Sequence, residues 1–346
     1  VTAEPRPEAR VTLAHGSGGK AMRELIAEVF VETFDNPLLA TLEDQARLDL
    51  AALAARGDRL ALTTDSYVIT PLFFPGGDIG RLAVCGTVND LAVGGATPLY
   101  LTCGMIIEEG LPLELLRRVA RSMKDSADAA GVQIVTGDTK VVPRGAADQL
   151  FINTAGVGVI APGVDIGAAR ARPGDVVIVN GFLGDHGAAV VDARGELALE
   201  SGVLSDCQPL GALVAAMLRA CPDIHCLRDA TRGGLATVLA EFALASACGI
   251  RVHEERLPVR DAVRGVCELL GLDPLYLANE GKLVAVVPAH AAAALLEAMR
   301  ADPAGRDACV IGEVLEAPAG RVVMATRFGA ERMLDMLVGE QLPRIC

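Results

Sequence analysis

Apolar residues recur at helical spacing in some stretches of this chain and form short continuous runs in others, and the two patterns alternate. Met22, Leu25, Ile26, Val29 and Phe30 share one helical face, and Asn36-Pro37 ends that helix. Residues 59–64 and 67–70 read as strands on either side of Asp65. A helix is expected from 79 to about 93, stopped by Gly94-Gly95, and an apolar strand over 100–107. The spacing predicts a strong helix over 112–130, with Pro112 near its start and Gly131 as its stop. Strands follow over 133–136 and 150–160, then a break rich in Ala, Arg, Pro and Gly. The second half reads as strand 175–180, helices near 185–194, 206–220, 234–248, 258–270 and 289–300, and strands near 250–254, 282–287, 308–315 and 321–326. The last eight residues, GEQLPRIC, have no periodicity and are expected to hang free.

Alternating strands and helices give an α/β or α+β class. A chain of 346 residues at roughly 100–200 per domain suggests two domains. The expected division is a flexible arm at 1–10, domains at 11–160 and 168–338, and a mobile tail at 339–346. No Trp is present, so Ala, Val and Leu must fill the cores. With 31 basic against 44 acidic residues, the chain lacks the cationic excess that nucleic-acid binding needs. No apolar run reaches the ~18 residues of a membrane span, and no signal-peptide core is evident. Nine cysteines, an odd number with no CxxC pair, fit a reducing compartment better than a disulfide framework. The expectation is a cytoplasmic protein.

Candidate chemistry centres on carboxylates beside Gly or Thr. Asp65 ends the strand LALTTD, Asp90 lies in the helical segment TVNDLAVGG, Asp138 ends the strand of IVTGDTK, and Asp44 sits in the loop LEDQARLD. Carboxylates at strand ends can converge on one crevice, where Mg²⁺ takes one or two of them plus phosphate oxygens. The bland alternative is that Asp commonly ends strands and begins turns. HGSGGK, residues 15–20, and RDATRGG, residues 228–234, are glycine-rich turns that open helices, so their amides are candidates for cradling an anion. HGSGGK lacks the spacing of a P-loop, and most such turns bind nothing. His186 beside Asp185 is read as structural, and no Ser/His/Asp triad is evident. Glu280 in ANEGK and Lys140 in TGDTK are either solvated strand-end charges or a general base and a charge stabiliser in a closed cleft. Cys346, the final residue, is either an incidental thiol or the end of an arm spanning roughly 23–25 Å when extended. Its α-carboxylate should raise the thiol pKa and Arg344 should lower it.

HGSGGK, EDQARLDL, TTDSYVI, PLFFPGG, GTVNDLAVGGA, GDTKVV, GDHGA, RDATRGGL, VRGVCELLGLD, NEGKLV and the terminal PRIC together resemble one family along almost the whole chain. It is the HypE family of [NiFe]-hydrogenase maturation, the carbamoyl dehydratases, within the wider AIR synthetase-like (PurM-like) group of ATP-dependent enzymes. The resemblance implies an N-terminal α/β domain whose sheet pairs with its twin in a homodimer, and a second α/β domain beside it. It also implies ATP in the cleft, with Mg²⁺ held by Asp44, Asp65, Asp90 and Asp138. His15, Gly16, Ser17, Gly18, Gly19 and Lys20 would fold over the nucleotide, with Asn89, Thr136, Gly137, Asp229 and Arg232 also placed around it. Cys346 would accept a carbamoyl group from the carbamoyltransferase HypF. Lys140 and Glu280 would serve its dehydration to a thiocyanate, and the cyano group would pass to iron on a HypC–HypD complex. Gln45 stands where many relatives in the wider group have an acidic or small residue. Three rival readings remain: a selenophosphate synthetase-like enzyme, although HGSGGK carries Ser17 and no Cys, a nucleotide-binding module without chemistry, and a structural scaffold with an incidental terminal thiol.

Overall fold

The computed structural model describes residues 9–195, 201–339, 342 and 344–346. Most of the expected 1–10 arm and part of the expected tail lie outside them. Residues 9 and 10 are not an independent arm, because Arg10 bridges to Pro112 and Val11 is fully buried.

A four-stranded sheet forms in the first half, in the order Arg59–Tyr67, Leu150–Ile160, Ala96–Glu108, Gln133–Val142. The first three strands are antiparallel to their neighbours, and the last runs parallel to Ala96–Glu108. Helices Ile79–Val93 and Leu113–Ala130 cover one face. Asp78 caps the first of these by accepting from the Gly80 and Arg81 N–H groups, at 2.8 and 3.2 Å. Pro112 precedes the second, and Gly131 ends it in the left-handed conformation at φ 69°. The opposite face is largely open, leaving Leu60 and Leu62 55% and 76% exposed, while Leu53, Leu99 and Val159 bury a small patch of it.

The second half builds a seven-stranded sheet in the order Glu331–Leu334, Val322–Ala325, Gly249–His253, Cys309–Leu315, Asp175–Val179, Leu283–Pro288, Cys226–Asp229. Only Gly249–His253 and Val322–Ala325 run parallel. Helices Asp185–Arg194, Gly234–Ser246 and Asp261–Leu270 pack on one side, with Gly211–Ala220 and Ala292–Arg300 on the other. Ala92 and Val93 enter this second core, so Ile79–Val93 is buried around nearly its whole circumference and joins the two halves.

Several elements differ from expectation. The first helix is interrupted: Lys20–Leu25 passes into a π-helical turn, Ile26–Val31, and ends at Phe34 with Asp35 left-handed. Asn36 and Pro37 therefore follow the helix. Asp65 does not separate two strands, because pairing with Leu150–Ile160 runs unbroken from Arg59 to Tyr67. Asp138 likewise sits within its strand, because pairing with Ala96–Glu108 continues to Val142. The helix expected from 206 begins at Gly211, because Asp206 to Leu210 are held by contacts to other parts of the chain. The free end is not seen. Ile345 is buried, and the Val68 N–H donates to the Cys346 carbonyl at 3.1 Å.

Candidate active site between the two sheets

Carboxylates from both halves meet where Arg59–Tyr67 faces the end of Cys226–Asp229. Thr63 Oγ1 donates to Asp90 Oδ2 at 2.9 Å, tying strand to helix. Asp65, Asp90 and Asp229 repel one another's charge. Burial, then Asp90, pushes Asp229 up to about 7, and burial also raises Asp90 despite the Thr63 bond. No three metal-capable side chains form a ready cage among the described residues. The donor set is nevertheless hard oxygen, and two neighbouring carboxylates suffice for Mg²⁺ when phosphate oxygens supply the rest.

The RDATRGG turn closes this side. Gly233 and Gly234 are both left-handed, and a Cβ on Gly234 would lie 2.5 and 2.6 Å from the Leu275 and Leu277 carbonyl oxygens. Only glycine fits there. Arg232 lines two adjoining spaces. One is a 750 Å³ cavity shared with Thr63, Asp90, Asp229 and Thr231, ample for a nucleotide. The other, of 380 Å³, holds Ser66, Val68 and Cys346.

Each residue of ANEGK has a task. Asn279 is buried, accepts from the Gly184 N–H at 2.7 Å and donates to the Ala230 carbonyl at 2.8 Å. Glu280 is 2% exposed, and its Oε1 has no hydrogen-bond partner. Burial, then Asp206, Asp229 and Asp65, hold its pKa well above the usual carboxylate range. A Cβ on Gly281 would sit 2.0 Å from the Asp206 carbonyl oxygen. Lys282 Nζ pairs with Asp206 Oδ2 at 3.0 Å in the interior. Burial opposes charge on Asp206, but Lys282 and the Glu280 N–H keep its pKa below the usual value. Asp206 and Lys282 escaped the sequence reading. Lys282 lies in the same motif as Glu280, but SDCQ (205–208) carries no periodic signal.

Asn89 has no free amide for a ligand. Its Oδ1 accepts from the Leu210 N–H at 2.7 Å, and its Nδ2 donates to the Gln208 and Glu280 carbonyls at 3.1 and 3.4 Å. It holds the backbone of Glu280.

Cys346 faces this group. Burial, then Glu280, raises its thiol pKa, with Arg232 opposing and Asp65 adding to the rise. Arg344 is not the opposing cation, because it pairs with Asp148. His186 Nε2 donates to the Ile345 carbonyl at 2.7 Å, and Arg194 Nη2 donates to the Arg344 carbonyl at 2.9 Å. Leu342 and Cys346 pack against the first core beside the buried Ile345.

The remaining candidates lie elsewhere. His15 folds back so that its Nδ1 accepts from the Thr12 N–H at 2.9 Å. A Cβ on Gly16 would be 2.8 Å from Val141 N, so this turn rests on the Gln133–Val142 edge strand. Ser17 Oγ donates to the Ala14 carbonyl at 2.9 Å, the Gly18 N–H faces Met22 Sδ, Gly19 precedes the Lys20–Leu25 helix, and Lys20 pairs with Glu24 on the surface. Thr136, Gly137 and Asp138 border an apolar crevice with Met22, Ile26 and Phe30. Asp138 Oδ2 and Lys140 Nζ form an exposed pair at 3.1 Å. Gly137, Cys103, Thr154 and Asp65 form one row across the sheet. Three spacings of ~4.8 Å put Gly137, beside Asp138, about 14 Å from Asp65. Asp44 is exposed in the loop before the Leu50–Ala54 helix. The chain thus gathers Asp65, Asp90, Asp229, Arg232, Glu280 and Cys346, and leaves Asp138, Lys140 and the glycine-rich arm at the far edge.

Two mixed sheets joined by a buried helix, with carboxylates facing a nucleotide-sized cavity, define an AIR synthase-related protein. The models of that family's N-terminal and C-terminal domains match residues 43–160 and 172–325. The carbamoyl dehydratase HypE of Rhodobacter capsulatus is 61% identical over 337 residues, covering 97% of this chain and 98% of that one. A crystal structure of the hydrogenase maturation protein HypE in complex with ATP superposes with a TM-score of 0.92 at 51% identity, covering 97% of this chain and 99% of the other. HypE in a HypE–HypF complex superposes at 0.78 and 47% identity, covering 90% and 99%. The chain belongs to the HypE family of carbamoyl dehydratases.

Proposed function

We propose that this chain carries a carbamoyl group as a thiocarbamate on Cys346 and dehydrates it, at the expense of ATP, to a thiocyanate for hydrogenase maturation. The observation that carries the reading is the seating of a C-terminal thiol beside a buried carboxylate with a free oxygen, at a cavity that Arg232 shares with a nucleotide-sized one.

Losing water from S–C(=O)–NH₂ directly is hard, because oxide is a poor leaving group. The carbonyl oxygen attacks the γ-phosphorus, ADP leaves, and one N–H proton is lost. The product is S–C(=NH)–OPO₃²⁻. Removal of the second N–H proton then expels phosphate and forms S–C≡N. Glu280 is the base for that proton, since burial among other carboxylates gives it the high proton affinity that an N–H acid requires. Arg232 stabilises the charge on the phosphoryl group between the two cavities. Asp65 and Asp90 are the carboxylates suited to hold Mg²⁺, which when bound offsets phosphate charge. Asp229 and the RDATRGG turn complete that wall. The tail exchanges between this seat and a released state that meets partners.

Lys140, Asp138 and residues 15–20 are assigned to the same chemistry through a second copy. The largely open sheet face with Leu60 and Leu62 is the surface for pairing in a homodimer, which would carry one subunit's far edge toward the other's cavity. Asp44, exposed in its loop, is retained as a fourth metal candidate. HypF is the donor of the carbamoyl group, and the HypC–HypD complex with its iron is the acceptor of the cyano group. The compartment is the cytoplasm, which suits nine unpaired thiols. No described helix is long and apolar enough to cross a membrane.

The test is the mass of the C-terminal peptide of carbamoylated protein before and after MgATP. Loss of one water is expected in the wild type and a much slower loss in Glu280→Gln. A wild-type peptide of unchanged mass, with ATP consumed or not, would sink the reading.

A further inference from the structure

His186 has no part in the chemistry above, yet it is fully buried at the start of helix Asp185–Arg194. Its ring stands edge-on to Phe74, 5.4 Å away. Both ring nitrogens are engaged. Nε2 lies 2.7 Å from the Ile345 carbonyl, and Nδ1 lies 2.9 Å from Ser205 Oγ. A carbonyl can only accept, so Nε2 carries the proton, and Nδ1 must accept from the Ser205 hydroxyl. Ser205 Oγ accepts in turn from the Cys207 N–H at 3.2 Å. The Ser205 N–H donates to the Pro75 carbonyl at 2.8 Å. The network fixes one tautomer and one ring orientation.

The residue after Ser205 holds the proposed base. Asp206 Oδ1 accepts from the Glu280 N–H at 3.0 Å, and the Gln208 N–H donates to the Glu280 carbonyl at 3.4 Å. Arg81 Nε anchors the Cys207 carbonyl at 2.8 Å. Residues 205–208 therefore form one strap. Its first residue sets the imidazole that grips the tail, and Asp206 and Gln208 clamp the backbone of Glu280.

We propose that His186 is a positioning residue for the dehydration: by holding the Ile345 carbonyl and, through Ser205, the strap that clamps Glu280, it places the group on Cys346 and the carboxylate in one frame. This rests on the assignment of Cys346 and Glu280 above. Burial lowers the His186 pKa, in keeping with a neutral ring that donates from Nε2 alone. Release of the tail leaves that buried N–H without its acceptor, so the strap favours reseating.

The test uses the full-length protein with His186→Phe, which keeps the edge contact to Phe74 and loses the donor, and His186→Gln, whose amide nitrogen can take the place of Nε2. Alkylation of Cys346 by iodoacetamide, read on the C-terminal peptide without nucleotide, reports docking alone. Single-turnover loss of water from carbamoylated Cys346 with MgATP reports positioning. His186→Phe should speed alkylation and slow dehydration, each by about fivefold to tenfold, the worth of one hydrogen bond. His186→Gln should restore most of both, and carbamoyl transfer by HypF should not slow in either variant. Alkylation equal in wild type and His186→Phe would overturn the inference. So would faster alkylation with an unchanged dehydration rate. Failure of the wild type to lose water would instead refute the dehydratase assignment, with the alkylation rates still showing whether His186 holds the tail.

Discussion

The two edges of the first sheet carry candidate groups of the same kind, and the fold treats them differently. At the Arg59–Tyr67 edge, Glu280 is buried, its backbone is clamped at both N–H and carbonyl, and its neighbours are locked by Asn89, Asn279, Asp206 and Lys282. At the Gln133–Val142 edge, Asp138 and Lys140 make a solvent-exposed ion pair. An exposed pair of this type holds little geometry, since it is worth about 0–1 kcal/mol. One edge is organised within the chain, and the other is held by a single exposed ion pair.

The contrast breaks first at Cys346. Cys346→Ala should abolish carbamoyl acceptance from HypF outright, read as the mass of the intact protein. Glu280→Gln should accept the group and dehydrate it about 10²–10⁴-fold more slowly in single turnover. The same variant should melt at a higher temperature than wild type at neutral pH and above, because it removes a buried carboxyl whose folded pKa is raised. That carboxyl contributes stability at low pH that is lost as pH rises through its folded value. For the same reason, wild-type dehydration should rise with pH across a limb lying above the ordinary carboxylate range, and the limb should vanish in Glu280→Gln.

The exposed edge gives a sharper test. Lys140→Ala and Glu280→Gln should each be nearly inactive alone. Mixed after subunit exchange, they should recover about one quarter of wild-type turnover, since half the dimers are hybrids with one intact site. No recovery would show that Lys140 acts on its own subunit's Cys346 or not at all. Smallest of all, Arg344→Ala should cost under about 1 kcal/mol of tail docking, because its partner Asp148 is reached at the surface. Cys346 alkylation should then rise less than in His186→Phe.

Most elements were legible as periodicity, and the misses share a cause. The Cys226–Asp229 and Glu331–Leu334 strands are four residues each, too short for a pattern, and exist because a neighbour pairs with them. Asp65 and Asp138 looked like strand ends because polar residues follow them; pairing partners carried both strands onward. Among site residues, Asn89 was expected around the nucleotide, and the structure shows its amide bonded to the backbone of residues 208, 210 and 280.

The sequence by itself determined the two-domain α/β plan, the family, and which side chains carry reactive groups, because those depend on local spacing and on motifs that need no partner. Only the tertiary structure decided which of those groups meet, how far burial moves their protons, and that the terminal residues have a seat. Those depend on contacts between segments as far apart as residues 186 and 345, and no local pattern encodes such a pairing.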